Sequence, residues 1–538
     1  MSPKIAVSAN MVTLLDRAGD ISSILQGCAN INSVWASLIV EECSRLGLTY
    51  FCVAPGSRSS PLAVAASTHP RITCIVCYDE RSLAFHAIGY ARGCQTPAVV
   101  ITTSGTAVSN LFPAVVEASQ DFVPLVLFTG DRPPELHATG ANQAIDQVNH
   151  FGTYVRFFFN LPVPTDDITA RMVLTTVDSA VYWATSSPYG PVHVNCPFRE
   201  PLENSPRSWR KDCLDRLDFW ISNTQPFTKY IHVKAPFAQN ATAGVTAEVE
   251  KVIQNARHGL LVVGAIHIEE EIWAALLLAR HLSWPVITDI LSGLRLRKIL
   301  TSYPEDEENF IFLDHFDHVL LCDAVRQWVR PDVIIQVGSK ITSKRVSKLL
   351  EECFPCSYIM VDKHPYRHDP SHIVSHRIQS TVTQFAGCLL KRPFPHMSTR
   401  WTIFLQAVNS VVAWELSFHI FSEYSLTEPH VSHALSDMLV SETALFIGNS
   451  MPIRDADMYA RGIVNCTGKA PWLELPLCGI NVAGNRGASG IDGLLSTAAG
   501  FAVGCKKRVN IRVLLFSGLC SAMLCDLIRC YDHVLVIL

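Results

Sequence analysis

The chain has 538 residues, of which 49% are hydrophobic and 17% are charged, and this composition predicts several globular domains with large apolar cores. Its 44 Lys and Arg residues against 48 Asp and Glu residues give a net charge of −4, which excludes a broad basic surface for nucleic acid. The longest apolar run, residues 513–525, is interrupted by small polar residues and is shorter than the roughly 20 residues that cross a bilayer, so no membrane span is predicted.

Eighteen cysteines are scattered along the chain, which is typical of buried thiols in a reducing compartment. Two pairs, Cys74 with Cys77 and Cys353 with Cys356, have a spacing that metal sites use. The first pair lies in an extended run, where residues three apart point to opposite faces, so a zinc or redox role is the less favoured alternative. Residues 1–26 mix basic and acidic side chains and carry no readable targeting signal.

From about residue 30 the pattern repeats strand, turn and helix. A β-branched strand over 99–103 precedes a turn, a helix over 107–118 and a further strand over 123–129. Strands of this kind that alternate with helices predict a parallel sheet covered on both faces. The polar composition of residues 203–239 then predicts a linker.

A second alternating unit follows, and a third begins near residue 401. The predicted elements of the second are strands over 259–263, 285–288, 333–337 and 358–362 and helices over 269–282 and 343–350. Residues 375–397 read as a connector, and the third unit opens with a helix over 401–418 and a strand over 444–447. Ligands of such sheets bind at the carboxyl ends of the strands.

A glycine-rich loop follows the last of these strands, with Gly484, Gly487, Gly490 and Gly493 at every third position. Glycine loses more backbone entropy on folding than any other residue, so this spacing indicates close approach of the backbone to another group or positive φ angles. A bound ligand and a tight connection between a strand and a buried helix explain the spacing equally well.

Two further segments have residue types suited to chemistry. Arg58 lies between a short apolar run and a predicted helix start, where backbone N–H groups and a guanidinium can bind an anion; a surface turn is the alternative. Glu80 ends a predicted strand beside an apolar helix, where burial would raise its pKa and suit it to proton transfer. An ion pair of Glu80 with Arg81 or Arg92 is the alternative.

Several more cations stand at predicted strand ends, namely Arg132, Lys344, Arg345 and Arg454. A single arginine in such a place is more often a surface residue than a ligand. About five of them in a nearly neutral protein indicate a binding site for a substrate with several carboxylates.

Together the motifs resemble 2-succinyl-5-enolpyruvyl-6-hydroxy-3-cyclohexene-1-carboxylate synthase, a thiamine diphosphate enzyme of menaquinone and phylloquinone biosynthesis. The resemblance runs from about residue 32 to residue 500. It rests on residues 54–59, 79–81, 103–107, 130–136, 140–145 and 485–493, all in the order of the family. The sequence of residues 34–38 and 45–47 is most similar to the version inside a fused phylloquinone-pathway protein of plants. This similarity implies a plastid location, with the cytoplasm as the alternative.

The resemblance implies a role for each candidate residue. Glu80 would hydrogen-bond the aminopyrimidine ring of thiamine diphosphate, Asn142 would lie near the cofactor, and Ile491 would lie beneath its bent form. Gln143 would be a catalytic polar contact and Ser450 a substrate contact. The dicarboxylates 2-oxoglutarate and isochorismate would be bound by the cationic side chains of Arg58, Arg132, Lys344, Arg345, Arg454 and Arg486.

One segment departs from the family. These enzymes hold the diphosphate through Mg²⁺, or Mn²⁺, bound by a Gly-Asp motif and a later asparagine. Here Gly518 is followed by Leu519, which offers no oxygen to a hard cation. Asp526 is a weak substitute, so the metal ligands stay unknown. The third domain is expected to be incomplete, and the chain is expected to be inactive alone.

The sequence therefore predicts an α/β fold of three doubly wound parallel-sheet domains of the thiamine diphosphate-enzyme type, the third incomplete. The expected divisions are an extension at 1–29, a pyrimidine-binding-type domain at 30–205, a linker at 206–240, a Rossmann-like domain at 241–395 and a diphosphate-binding-type domain at 396–538. The family implies a homodimer or homotetramer. A non-catalytic truncated paralogue and another 2-oxoacid decarboxylase, such as an acetolactate synthase, are the alternatives.

Overall fold

Parallel strands alternate with helices along the computed structural model, which describes residues 20–231, 242–296, 310–394, 399–439, 443–462, 480–506, 508–512 and 534–537. The chain divides into two compact units. The first comprises residues 1–91 and 96–232, and the second comprises residues 92–95 and 233–538.

The first unit contains a six-stranded parallel sheet with the order β2-β1-β3-β4-β6-β5. Its strands are β1 Tyr50–Val53, β2 Thr73–Val76, β3 Ala98–Thr102, β4 Leu125–Asp131, β5 Phe158–Asn160 and β6 Pro191–Pro197. The helices are α1 Asp20–Gly27, α2 Ile31–Arg45, α3 Ser60–Thr68, α4 Glu80–Cys94, α5 Thr106–Asn110, α6 Phe112–Gln120, α7 Arg171–Thr185 and α8 Asp218–Ile221. Strands β3, β4 and β6 are buried along their whole length, which agrees with the apolar runs of β3 and of the first half of β4.

The second unit contains two parallel sheets. The larger has the order β12-β11-β10-β7-β8-β9, and the smaller has the order β14-β13-β15-β16. The strands of the larger sheet are β7 Gly259–Val263, β8 Pro285–Thr288, β9 Ile311–Phe312, β10 Val333–Val337, β11 Ser357–Asp362 and β12 His376–Gln379. Those of the smaller sheet are β13 Thr443–Ile447, β14 Asn481–Ala483, β15 Arg508–Arg512 and β16 Val534–Ile537.

Ten helices flank these two sheets within the described residues. They are α9 Thr242–Asn255, α10 Glu269–Leu282, α11 Phe316–Val319, α12 Asp323–Trp328, α13 Lys344–Cys353, α14 Val382–Leu389, α15 Arg400–Ser422, α16 Glu428–Met438, α17 Met451–Tyr459 and α18 Leu494–Cys505. The α/β class with parallel sheets is thus confirmed, and the third sheet is small and incomplete in the part of the chain that is described.

Three sequence-based assignments of local structure were wrong. The helix predicted over 107–118 is two helices, because Pro113 lacks an N–H and stands in the first turn of a new helix, α6. The predicted connector 375–397 contains β12 and α14, a short edge strand and a short helix whose patterns are weak signals. Glu80 opens α4 rather than ending a strand, since β2 stops at Val76.

Residues in the proposed linker pack against the first core. Trp220 is buried, and its indole Nε1 donates to Glu42 Oε2 at 2.6 Å. Cys213 and Leu217 are buried as well. The polar composition of residues 203–231 therefore reflects their exposed positions and does not make the segment a free tether.

The one helix in the described ranges that has the length and composition to cross a membrane is α15. Trp401 and Leu405 lie on one face of this helix, in an apolar core beneath the larger sheet of the second unit. Leu349 and Leu350 of α13 belong to the same core. The helix is therefore packed on the fold along one face.

Candidate active site

Glycines bring three strand ends of the first unit together. A Cβ on Gly56 would lie 2.3 Å from Cβ of Thr103, and a Cβ on Gly130 would lie 2.9 Å from the carbonyl carbon of Arg58. The turn after β1 therefore packs directly against the ends of β3 and β4. The backbones can approach this closely because glycine has no Cβ. Three separate sequence motifs become one surface at the carboxyl edge of the sheet.

The guanidinium groups of Arg58 and Arg132 lie near enough at this edge for the charge of one to act on the other. Burial lowers the pKa of Arg58, the nearby Arg132 guanidinium lowers it further, and the Glu200 carboxylate opposes both. Arg58 Nη1 donates to the carbonyl of Phe198 at 2.7 Å, and Nη2 donates to Glu200 Oε1 at 3.1 Å. Its buried Nε has no hydrogen-bond partner among the described residues. The nearby Glu200 and Asp131 carboxylates offset part of the positive charge of this pair.

The segment after β4 is fixed to the same edge. Arg132 Nε donates to the carbonyl of Asn142 at 2.9 Å, and Gln143 lies against Gly105, whose φ is +82°. Both Asn142 and Gln143 expose their side chains within this unit. The structure thus groups Arg58, Arg132, Asn142 and Gln143.

A buried polar network lies under this group, and sequence reasoning missed it. Gln147 is 1% exposed; its Oε1 accepts from the N–H of Gly105, and its Nε2 donates to the carbonyl of Gly130 and to Asn195 Oδ1. Asn195 Nδ2 in turn donates to Asp131 Oδ2 at 2.7 Å, and burial raises the pKa of Asp131. Gln147 stands five residues after Asn142, and no motif distinguishes it from a surface glutamine.

Glu80 is half-buried within its unit, not enclosed as the sequence suggested. Its Oε2 accepts from Asn110 Nδ2 at 3.4 Å. The edge of a parallel sheet is not covered by the helices that pack on its two faces, so a carboxylate there stays open to a ligand. The alternative pairing of Glu80 with Arg81 or Arg92 does not occur among the ion pairs of the described residues, which leaves the carboxylate available to a donor from outside.

The second unit carries the other cationic residues. Lys344 and Arg345 are the first two residues of α13, as predicted, and Ser343 caps this helix by accepting from the N–H of Val346. Lys344 and Arg486 line one open groove of about 790 Å³. Arg345 instead forms an ion pair with buried Asp317, so part of its charge is already neutralised.

The glycine-rich loop is held by side chains that donate to its backbone carbonyls. Lys340 Nζ donates to the carbonyls of Arg486 and Gly487 at 3.0 and 3.1 Å. Asn449 Nδ2 donates to the carbonyls of Asn485 and Gly490, both at 2.6 Å. Asn449 Oδ1 also accepts from Arg486 Nη1 at 3.2 Å, which orients the guanidinium. Sequence reasoning missed Lys340 and Asn449, whose partners are backbone atoms far away in the chain.

The remaining candidates lie near this loop or outside the described residues. Ser450 precedes α17 with φ +72°, and Arg454 is exposed on the same helix. Ile491 is 74% exposed on the glycine-rich loop. Gly518, Leu519 and Asp526 lie outside the described residues.

The chemistry of these side chains is compatible with thiamine diphosphate. The open Glu80 carboxylate can accept from an aminopyrimidine, and exposed Ile491 beside Gly490 and Gly493 offers an apolar support. In the described ranges no three His, Cys, Asp or Glu side chains are grouped so as to hold a metal ion. Cys74, Cys77, Cys353 and Cys356 are free thiols.

Comparison with known proteins defines the class first. Residues 35–150 match the N-terminal TPP binding domain of thiamine pyrophosphate enzymes, and residues 211–447 match the middle domain of thiamine pyrophosphate enzymes. Together with the parallel sheets, these matches show that the chain is a thiamine diphosphate enzyme by descent.

More similar relatives define the family. The chain is 38% identical over 487 residues to 2-succinyl-5-enolpyruvyl-6-hydroxy-3-cyclohexene-1-carboxylate synthase of Rubrobacter xylanophilus, covering 90% of this chain and 79% of that protein. It is 39% identical over 485 residues to the synthase of Salinibacter ruber, covering 90% of this chain and 78% of that protein. The chain belongs to this synthase family.

A plant relative is more similar still. Protein PHYLLO, chloroplastic, of Arabidopsis thaliana is 60% identical over 512 residues, which are 95% of this chain and 30% of the relative. The chain thus spans less than a third of the plant protein and almost four fifths of the bacterial ones.

Proposed function

We propose that the chain is a thiamine diphosphate-dependent synthase that decarboxylates 2-oxoglutarate and adds the resulting succinyl carbanion to isochorismate. The neighbouring Arg58 and Arg132 guanidiniums carry this proposal, because both substrates are dicarboxylates and parallel sheets bind their ligands at this edge. The family to which the chain belongs supports it.

Each residue group has a separate task in the proposal. Thiamine diphosphate, when bound, supplies the electron sink for the carbanion that forms as carbon dioxide leaves. Glu80 accepts a hydrogen bond from the aminopyrimidine and so favours one tautomer of that ring. Arg58 and Arg132 bind carboxylates and orient them.

The second unit supplies the remaining proposed contacts. Lys344 and Arg486, which line one groove, add charge for a second carboxylate, with Arg345 and Arg454 as further candidates. Ser450 is proposed as a polar contact and Ile491 as the apolar support of the cofactor. From the first unit, Gln143 is proposed as a polar contact and Asn142 as a cofactor contact.

Other parts of the description stay predictions. They are the domain boundaries at 30–205, 241–395 and 396–538, the homodimer or homotetramer, and the Mg²⁺ or Mn²⁺ ion. The plastid location agrees with the name of the Arabidopsis relative, a chloroplastic protein.

Substrate choice tests the proposal. Any turnover should occur with 2-oxoglutarate plus isochorismate and not with pyruvate, since small monocarboxylates leave the cationic groups unpaired. Arg132→Met should raise KM for 2-oxoglutarate about tenfold or more. Arg210→Met, on an exposed side chain that pairs with Asp167, is the matched control and should leave KM unchanged.

Calorimetric titration with thiamine diphosphate separates the alternatives. An absence of thiamine diphosphate binding in the presence of Mg²⁺ would support a non-catalytic relative, and turnover of pyruvate would support a different decarboxylase. Either result would overturn the proposed reaction.

A further inference from the structure

Asp289 is a buried carboxylate at the carboxyl edge of the larger sheet of the second unit. It follows β8 directly and is 4% exposed. Its Oδ1 accepts from the N–H of Leu291 at 2.8 Å, and its Oδ2 accepts from the N–H of Thr342. The second bond runs from the end of β8 to the segment after β10, so the carboxylate joins two loops that are 53 positions apart in the chain.

The segment between β10 and α13 lies across the end of β7. The N–H of Ser339 donates to the carbonyl of Ala265 at 3.1 Å, and the N–H of Ala265 donates to the carbonyl of Lys340 at 3.2 Å. The bond from Thr342 to Asp289 also holds this segment, and its acceptor is charged. Hydrogen bonds to ionised groups are roughly twice as strong as neutral ones, so loss of this acceptor should loosen the segment.

Both sides of the open groove depend on the same segment. Thr342 stands two residues before Lys344, the first residue of α13. Lys340 donates to the carbonyl of Arg486 at 3.0 Å. Because Lys344 and Arg486 line the groove, a shift of the segment would move one cation with the start of the helix and the other with the glycine-rich loop.

The charge of Asp289 also acts on Arg486 through space. Burial raises the pKa of Asp289, while the N–H groups of Leu291 and Thr342 and the Arg486 guanidinium oppose the rise. Burial raises the pKa of the neighbouring Asp457 as well, and the charge of Asp289 adds to that rise. Asp457 therefore holds the proton of this pair, and Asp289 keeps a negative charge that attracts Arg486.

We propose that Asp289 is a positioning residue that holds Lys344 and Arg486 in place on the two sides of the groove. The inference rests on the proposed function, in which these two cations bind a substrate carboxylate. The lining of the groove does not include Asp289. Its effect on a ligand therefore passes through its neighbours.

A purely structural role is the alternative, because a carboxylate that accepts from two backbone N–H groups also stabilises a fold. Asp332 provides the matched comparison. It stands just before β10, at the amino edge of the same sheet, and accepts from the N–H groups of His258 and Arg257 at 2.8 and 2.9 Å. The bonding pattern is the same, but the residue lies at the edge away from the groove.

Hydrogen exchange mass spectrometry tests the positioning role without any ligand. We expect Asp289→Asn to speed exchange of residues 340–346 and 485–493 about tenfold, because asparagine has one acceptor oxygen for two N–H donors and no charge. Asp332→Asn should lower Tm by a similar amount and leave exchange in both segments unchanged. Unchanged exchange in Asp289→Asn, or equal acceleration by the two variants, would overturn the proposal.

A second variant separates loss of charge from a misfit of the new side chain. Asp289→Ser also removes the charge, but its small hydroxyl places no amide donor against the N–H of Thr342. It should speed exchange in the same two segments as Asp289→Asn does. Wild-type exchange in a folded Asp289→Ser would contradict the role of the carboxylate.

Calorimetric titration with 2-oxoglutarate tests the link to the substrate. We expect Arg486→Met to weaken binding about tenfold and Asp289→Asn to weaken it severalfold. Because Asp289 acts through Arg486, the double variant should lose less than the product of the two fold losses. A loss equal to that product, or no loss in Asp289→Asn, would overturn the proposal. Unchanged binding in Arg486→Met would instead contradict the proposed function, and the exchange measurements would still decide the positioning role.

Discussion

Gly56 shows how a single residue decides the geometry of the candidate site. Gly56 has no Cβ, and its backbone lies against the Thr103 side chain. Any larger residue must push one strand end away from the other. The sequence marks the position, since Pro55-Gly56-Ser57 reads as a turn, but it does not reveal which atoms the glycine contacts. The backbone is extended at this residue, so close packing and not an unusual φ requires the glycine.

We predict that Gly56→Ala destabilises the first unit by roughly 1–3 kcal/mol, because a Cβ at 2.3 Å from Thr103 forces a backbone shift. Urea unfolding at pH 7 measures the change. Gly27→Ala, where a Cβ would meet no atom within 4 Å, is the control and should change stability by less than about 0.5 kcal/mol. Equal effects of the two variants would show that packing at Gly56 does not matter.

Lys340 acts through other residues and not through a ligand. Its ammonium group donates to two carbonyls of the loop that carries Arg486 and Ile491. Charge-assisted hydrogen bonds of this kind hold a backbone in one arrangement. Lys340 is thus a positioning residue for the glycine-rich loop.

We expect Lys340→Met to speed amide hydrogen exchange of residues 485–493 about tenfold and to weaken thiamine diphosphate binding by a similar factor. Exchange mass spectrometry gives the first value and calorimetry the second. Lys340→Arg keeps a donor and should restore most of both, whereas Lys251→Met, on an exposed lysine of α9, should change neither. If the amides of residues 485–493 exchanged as slowly in Lys340→Met as in the wild type, Lys340 would not be a positioning residue for the loop.

Helices α2 and α7 each carry a buried carboxyl group at the point where they pack together. Glu42 of α2 and Asp178 of α7 are buried next to each other, and Trp220 and the N–H of Phe227 donate to Glu42. Burial raises the pKa of Glu42 to about 8, and the neighbouring Asp178 carboxylate adds to the rise. The folded unit therefore holds a proton that the unfolded chain releases near pH 4.5.

A group whose folded pKa is raised contributes stability at low pH and loses it as the pH rises towards the folded value. We predict that the free energy of unfolding falls by roughly 2–3 kcal/mol between pH 5 and pH 8 through this pair. Asp178→Asn removes the like charge and should flatten the dependence. Urea unfolding at the two pH values measures it, and Asp218→Asn, at an exposed carboxylate, should behave as wild type.

Elements with long apolar runs were predictable, and short ones were not. Strands β7, β8 and β10 begin and end where the sequence indicates, because each run of branched residues is buried on both faces. Helix α14 and strand β12 were missed, since eight and four residues give too little periodicity. Their stability comes from neighbours, as when Glu271 of α10 accepts from the N–H of Val382.

For the whole molecule, the unmatched residue is Leu519, which follows Gly518 where the family has an aspartate. A hydrocarbon side chain cannot bind Mg²⁺, so we expect Mg²⁺ to strengthen thiamine diphosphate binding less in the wild-type chain than in Leu519→Asp. Leu519→Asp should strengthen binding about tenfold in Mg²⁺ and not in EDTA. Calorimetry with both solutions tests this; a strong Mg²⁺ dependence of the wild-type chain would show that another group supplies the ligand.

The sequence by itself determined the α/β class, the family and the cationic candidates, because these depend on local patterns of burial and on motifs within a few residues. The tertiary structure alone decided which candidates meet. It places Arg58 beside Arg132, turns Arg345 towards Asp317, and supports the loop at Arg486 through Lys340 and Asn449. Contacts between residues tens to more than a hundred positions apart depend on strand order and backbone approach, which leave no local pattern in the chain.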